Sequence, residues 1–88
     1  MKAVWIEEQG IQVVVAEQGE SPMCGRRVKG VRTPGGSATA REDEAWIVVN
    51  EFHGDRDVDW IVMLCGGFET GRVRVEACTE IVWALPVA

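Results

Sequence analysis

The chain has 88 residues, a formal net charge of -5 and a hydrophobic content of 47%. These values are typical of a globular domain, and they exclude a disordered tail, a collagen-like repeat and a coiled coil. No stretch approaches the ~20 consecutive apolar residues that span a bilayer, and the short apolar run at residues 3–6 is not a signal peptide. We therefore expect one domain over residues 1–88, without a membrane partner.

The first predicted element is a β-hairpin. Residues 2–8 and 11–17 flank Gln9-Gly10, where glycine permits the positive φ that a two-residue turn needs. Such a turn would set Ile6 opposite Val13. One face then carries the residues expected in the core, which are Val4, Ile6, Val13 and Val15. The other face is also apolar, and it carries Trp5, Val14 and Ala16.

Residues 18–44 are predicted to form a long basic loop, rich in glycine and proline, within the domain. Residues 21–41 carry five basic and no acidic side chains in a protein that is acidic overall. Residues 27–33 have the composition of a short strand. Because glycine lets backbone N–H groups approach an anion and arginine binds one bidentately, we expect an anion or an acidic partner to bind here. The residues expected to bind it are Arg26, Arg27, Lys29 and Arg32.

Two other interpretations of this basic segment stay open. It is either a solvated loop without a specific ligand, or a loop that docks against the acidic residues 42–59 of the same chain. Runs of charge usually have no specific ligand. The segment also matches neither a P-loop nor a dinucleotide-binding fingerprint.

The second half of the chain is predicted to be a series of strands. Residues 45–52 and 58–65 are apolar runs with a polar turn between them, and Gly66-Gly67 ends the second run. Alternation in the second run places four residues on one face, namely Val58, Trp60, Val62 and Leu64. Residues 72–77 and 80–85 are the last predicted strands.

The strand pattern predicts an all-β fold, a single small antiparallel barrel of five or six strands. The alternative is an α+β fold with a C-terminal helix over residues 75–85, where the apolar positions have roughly helical spacing. We prefer strands because this segment is rich in β-branched residues, which pack well in sheets.

Residues 60–86 resemble the closing half of Sm-like proteins and other SH3-like small barrels. Those folds end with a strand, a tight turn, an alternating strand, a short break and a final strand, and this segment follows the same order. In place of the Arg-Gly pair that Sm-like proteins put before the last strand, this chain has Glu76-Ala77-Cys78. The resemblance implies a small barrel, and it carries no RNA-binding residue over to this sequence.

Two further groups of residues have some features of chemical sites. Asp55, Asp57 and Asp59 alternate and could bind a hard cation, although a polar hairpin turn also explains them. Cys24 precedes two arginines that would favour its thiolate, but no histidine–carboxylate pair accompanies it. The three cysteines form no CxxC pair, which favours free thiols and a cytoplasmic location. We expect no catalytic residue, no metal and no cofactor.

The last candidates are four tryptophans, each inside a predicted strand: Trp5, Trp46, Trp60 and Trp83. They would fill the core, form an aromatic wall for a flat or cationic ligand, or contact another subunit. Both faces of the first hairpin and of residues 45–52 are apolar, so we rank subunit contact ahead of ligand binding. The residues expected to be partly exposed contacts are Trp5, Val14, Trp46 and Ile47.

The sequence thus predicts a non-catalytic binding module that acts as a homo-oligomer and whose basic segment contacts an acidic protein or RNA. One alternative is a nucleic-acid-binding protein built on an Sm-like ring, which would use residues 26–32. Another is a small-ligand-binding protein with a tryptophan-lined pocket. A short chain without a family motif also suits an accessory protein of a mobile genetic element.

Overall fold

The computed structural model describes residues 2–15 and 24–84, and this part of the chain contains eight strands. Their bounds are Lys2–Ile6 (β1), Ile11–Val15 (β2), Arg27–Thr33 (β3), Gly36–Thr39 (β4), Glu44–His53 (β5), Arg56–Cys65 (β6), Phe68–Arg74 (β7) and Glu80–Trp83 (β8). The predicted all-β fold is confirmed. The alternative helix over 75–85 is wrong, because the only helical residues described there form a single 3-10 turn at Val75–Ala77. No helix in the described residues is long and apolar enough to cross a membrane.

The strands form two antiparallel sheets. β1 and β2 make a two-stranded ribbon, and the other six make one sheet in the order β4-β3-β5-β6-β7, with β8 also paired to β3. The larger sheet curls into a half-barrel. Register shifts interrupt the β3–β8 pairing after Val28 and the β6–β7 pairing after Met63. Such irregularities bend a strand and increase its twist, which helps the sheet to curl.

The turn of the ribbon has four residues, so the predicted two-residue turn is wrong. The backbone N–H groups of Gln9 and Gly10 donate to the carbonyl oxygen of Ile6, at 3.1 and 2.9 Å. Ile6 therefore lies opposite Ile11, two residues away from the predicted partner Val13. Because a shift by two keeps every side chain on its original face, Ile6 still enters the core, as predicted.

Two strands lie within residues 24–44, which are the described part of the loop predicted over residues 18–44. Residues 27–33 form the strand that the sequence allowed, and residues 36–39 form a further strand that it did not suggest. Every residue of β4 is exposed, so its sequence has no apolar alternation to indicate a strand. The pairing with β3 alone makes this segment extended.

β5 lies between two apolar cores. The first core lies between the ribbon and the sheet. Its buried residues are Ile6, Ala45, Ile47, Val49, Val62 and Leu64. The second core is enclosed by the curled sheet, because its members come from β3, β5, β6, β7, the 3-10 turn and β8. Its buried residues are Val28, Val31, Trp46, Val48 and Ile61. Alternate residues of β5 therefore enter different cores.

Candidate binding groove

Trp5, at the end of β1, is a large apolar side chain that the fold leaves on the surface, with 59% of it exposed. It lines a groove of about 430 Å³ between the ribbon and the start of β3, here called the Trp5 groove. The other lining residues are Ile6, Glu7, Glu8, Gly25, Arg27 and Ile47. Three of the residues predicted for binding thus meet at one place, namely Trp5, Arg27 and Ile47.

Two of the predicted contact residues are not on the surface. Trp46 and Ile47 are only 3% and 1% exposed, so the prediction that they are partly exposed is wrong. Both faces of β5 are apolar as the sequence indicated, but each face is covered by one of the chain's own cores. Although Ile47 is buried, it lines one wall of the Trp5 groove. The backbone of Val14 pairs with Ala3, and the side chain of Val14 lies outside the part that the structure describes.

Arg27 connects the basic segment to the ribbon. Its Nη1 donates to both carboxylate oxygens of Glu8, at 3.1 and 3.3 Å. Its Nε is buried and donates to no acceptor in the described part of the chain. The guanidinium therefore makes its hydrogen bonds to Glu8 through Nη1. A hydrogen bond from the backbone at residue 8, followed by that from Arg27, lowers the pKa of the Glu8 carboxyl below its ordinary value.

The other predicted anion-binding residues do not converge with Arg27 on one site. The guanidinium of Arg26 lies 3.9 Å from the ring centroid of Trp83, and Arg32 pairs with Glu80 at 4.0 Å. Lys29 is exposed, and its ammonium pairs with no residue in the described part of the chain. Three of the four basic side chains are therefore engaged by the protein itself: Arg26 by Trp83, and Arg27 and Arg32 by acids that lie outside residues 42–59.

A second cation–aromatic cluster surrounds Trp60, which packs against the first core. Arg72 and Arg74 place their guanidinium carbons 5.2 and 5.1 Å from the ring centroid of Trp60. Arg72 also donates to Glu69 at 2.7 Å and to Glu51 at 2.9 Å. The hydrogen bond to Glu69 is the main reason that the pKa of Arg72 is raised, and it also lowers the pKa of Glu69.

The remaining candidate sites are the three aspartates of residues 55–59 and Cys24. No group of three or more His, Cys, Asp or Glu side chains that could hold a metal occurs among the described residues. Asp55 and Asp57 are exposed, and Asp59 accepts a hydrogen bond from Asn50 at 3.0 Å. Cys24 packs half-buried against the first core, and no disulfide joins Cys24, Cys65 and Cys78 to one another.

The acidic residues of the groove were not among the predicted site residues. Glu7 and Glu8 were both placed at the end of the first predicted strand, where their charge carried no signal of a site. They belong to the groove because the ribbon folds back on Gly25 and Arg27, which follow much later in the chain. A contact between segments so far apart leaves no trace in a local pattern.

Comparisons with protein families, with curated proteins and with solved structures find no significant match. The predicted resemblance to Sm-like and SH3-like proteins therefore has no family match to support it. The more general part of this prediction is confirmed, since the protein is a small all-β fold with a curled sheet.

Proposed function

We propose that this protein is a non-catalytic interaction module that works as a homo-oligomer, with Trp5 as its central contact residue. The supporting observation is the 59% exposure of Trp5. Trp46 is buried, and arginines lie on the rings of Trp60 and Trp83. Tryptophan is enriched at protein interfaces and dominates their binding energy when it is buried in a pocket.

The surroundings of Trp5 have the composition of an interface. Ile6 and Ile47 supply an apolar wall, while Glu7, Glu8 and Arg27 supply charge around it. An apolar centre with a polar rim is the usual arrangement at subunit contacts. A chain of this length also buries only about 60% or slightly more of its unfolded surface, so association would add to a thin margin of stability.

The order of elements at the C-terminal end supports an SH3-like version of the half-barrel. β6, the Gly66-Gly67 turn, β7, the 3-10 turn and β8 follow one another as a strand, a tight turn, a strand, a short break and a last strand. Three cysteines that are not joined to one another by a disulfide favour a reducing compartment such as the cytoplasm.

The two alternative functions have less support. RNA binding through residues 26–32 would need basic groups that no acid of the chain neutralises, but Arg27 and Arg32 are paired with Glu8 and Glu80. The net charge of -5 also opposes binding to a polyanion. A tryptophan-lined ligand pocket would contain a single indole ring, because Trp5 is the one tryptophan that lines the groove.

Sedimentation velocity at micromolar concentration tests the proposed self-association. We expect the wild-type protein to form a dimer or larger oligomer, and Trp5→Glu to be monomeric with an unchanged far-UV spectrum. Phe68→Glu is the matched control, because Phe68 is 76% exposed and lies outside the Trp5 groove. A wild-type protein that stays monomeric, or an equal loss of association in both variants, overturns the proposal.

A further inference from the structure

We infer that the Trp5 groove of one copy holds the Lys29 ammonium of a second copy, beside the carboxylate of Glu7. This inference names the contact that underlies the proposed self-association, and it rests on that proposal. Two copies that exchange the same contact twice would form a closed dimer with a twofold axis. Three observations carry it, concerning the tryptophan ring, the charge in the groove and the position of the lysine.

The first observation is the way in which this chain covers its tryptophans. Trp83 carries Arg26 on its ring, and Trp60 carries Arg72 and Arg74. A cation within about 6 Å of an indole ring is attracted by the negative face of the ring. Among the described residues, no cation lies on the ring of Trp5, although this ring is the most exposed of the four.

The second observation is an unbalanced negative charge in the groove. Glu8 is neutralised by Arg27. Glu7 also lines the groove and is exposed, and its carboxylate pairs with no residue that the structure describes. An indole face next to an unpaired carboxylate is the chemistry that recognises an ammonium or guanidinium group.

The third observation is the position of Lys29. It follows Arg27 by two residues in β3, and the residue between them, Val28, is buried in the second core. The β3–β8 register shifts between Val28 and Gly30, so Lys29 is the extra residue of a bulge, and it is exposed. Arg27 lines the groove of its own copy and Lys29 does not, so we assign this exposed lysine to the groove of a facing copy.

The net charge of the whole molecule favours a contact of this kind between two copies. Each copy has a net charge of -5, so two copies repel each other at long range. Self-association then depends on local pairs of opposite charge at the contact surface. Lys29 and Glu7 are exposed residues of opposite sign, and neither has a charged partner within the described part of its own chain.

Charge reversal tests the pair in solution. We expect Lys29→Glu and Glu7→Lys each to raise the dimer dissociation constant at least about tenfold, and the double variant to recover most of the wild-type affinity. Glu42→Lys is the matched control for the change in net charge in Glu7→Lys, because Glu42 is exposed and lies outside the groove. It should not weaken the dimer.

The outcomes separate this inference from the proposed function. A wild-type dimer that Trp5→Glu dissociates but Lys29→Glu does not would keep the proposed function and overturn the inference. Single variants that both weaken the dimer, without recovery in the double variant, would also overturn it. A monomeric wild-type protein would overturn both. Recovery in the double variant, with a dissociation constant that rises with salt concentration, supports the pair.

Discussion

Gln9 links the ribbon to the curled sheet through one side chain. Its Nε2 donates to the carbonyl oxygen of Asp43 at 2.9 Å, and its Oε1 accepts from the N–H of Gly67 at 3.2 Å. The residue is only 7% exposed. A buried amide that is hydrogen-bonded at both ends joins three turns that are far apart in sequence. This explains why a polar residue in a turn is buried.

Replacing Gln9 with alanine should lower the free energy of unfolding by about 2 kcal/mol, because two hydrogen bonds are lost and buried backbone groups are left unpaired. Urea denaturation measures the change. Gln12→Ala is the control, since Gln12 is an exposed glutamine of the same ribbon and should change stability by less than about 0.5 kcal/mol. Equal effects of the two substitutions would show that the Gln9 hydrogen bonds do not hold the ribbon.

At the scale of elements, ion pairs on β7 and on the ribbon make the stability of the fold depend on pH. On β7, Arg72 hydrogen-bonds to Glu69 and lowers the pKa of that carboxyl. In the ribbon, the backbone at residue 8 and then Arg27 lower the pKa of Glu8. Both carboxyls are therefore more acidic in the folded chain than in the unfolded chain. A lowered pKa of this kind contributes stability above the unfolded pKa, and this contribution disappears as the pH falls through the folded pKa.

We therefore expect the free energy of unfolding to fall as the pH decreases from about 5 to about 2. Glu69→Gln should reduce the slope of this fall, because one of the shifted carboxyls is removed. Glu42→Gln is the matched control, since Glu42 makes no ion pair with a described residue. Urea denaturation at a series of pH values measures the slopes. A slope that Glu69→Gln leaves at its wild-type value would contradict the role of the Arg72 pair.

At the scale of the whole molecule, β5 is the strand on which the ribbon and the half-barrel meet. Ile47 is 1% exposed in the first core, and Val48 is fully buried in the second. The ribbon thus acts as a cover for one face of the sheet. The ribbon therefore buries Ile47, whereas Trp5 stays exposed at the border between the ribbon and the sheet.

Ile47→Ala should lower the free energy of unfolding by about 3 kcal/mol, through lost burial and the cavity that remains. Trp5→Ala should lower it by less than about 1 kcal/mol, because much of that side chain is already in water. Both are measured at a protein concentration where the chain is monomeric, since association itself adds stability. A larger loss in Trp5→Ala would mean that Trp5 is a core residue rather than a contact residue.

Local patterns were sufficient for most strands. The alternation of Trp60, Val62 and Leu64 placed these residues on one face, and all three pack in the first core. Gly66 and Gly67 have φ values of +58° and +86°, which glycine adopts without strain, and they form the predicted turn. β4 was missed because all its residues are exposed. The end of the strand predicted over 72–77 was misplaced, because residues 75–77 form a 3-10 turn.

The all-β character and the glycine turns follow from the order of residues, because a period of two and a positive φ are properties of a few neighbouring positions. Whether each apolar face is buried or exposed does not follow from the order of residues. Trp46 and Ile47 are buried because distant segments cover them, and the Trp5 groove exists because β1 lies beside Gly25 and Arg27. Such contacts join residues about 20 or more positions apart, so they depend on how the ribbon and the sheet pack rather than on any local pattern.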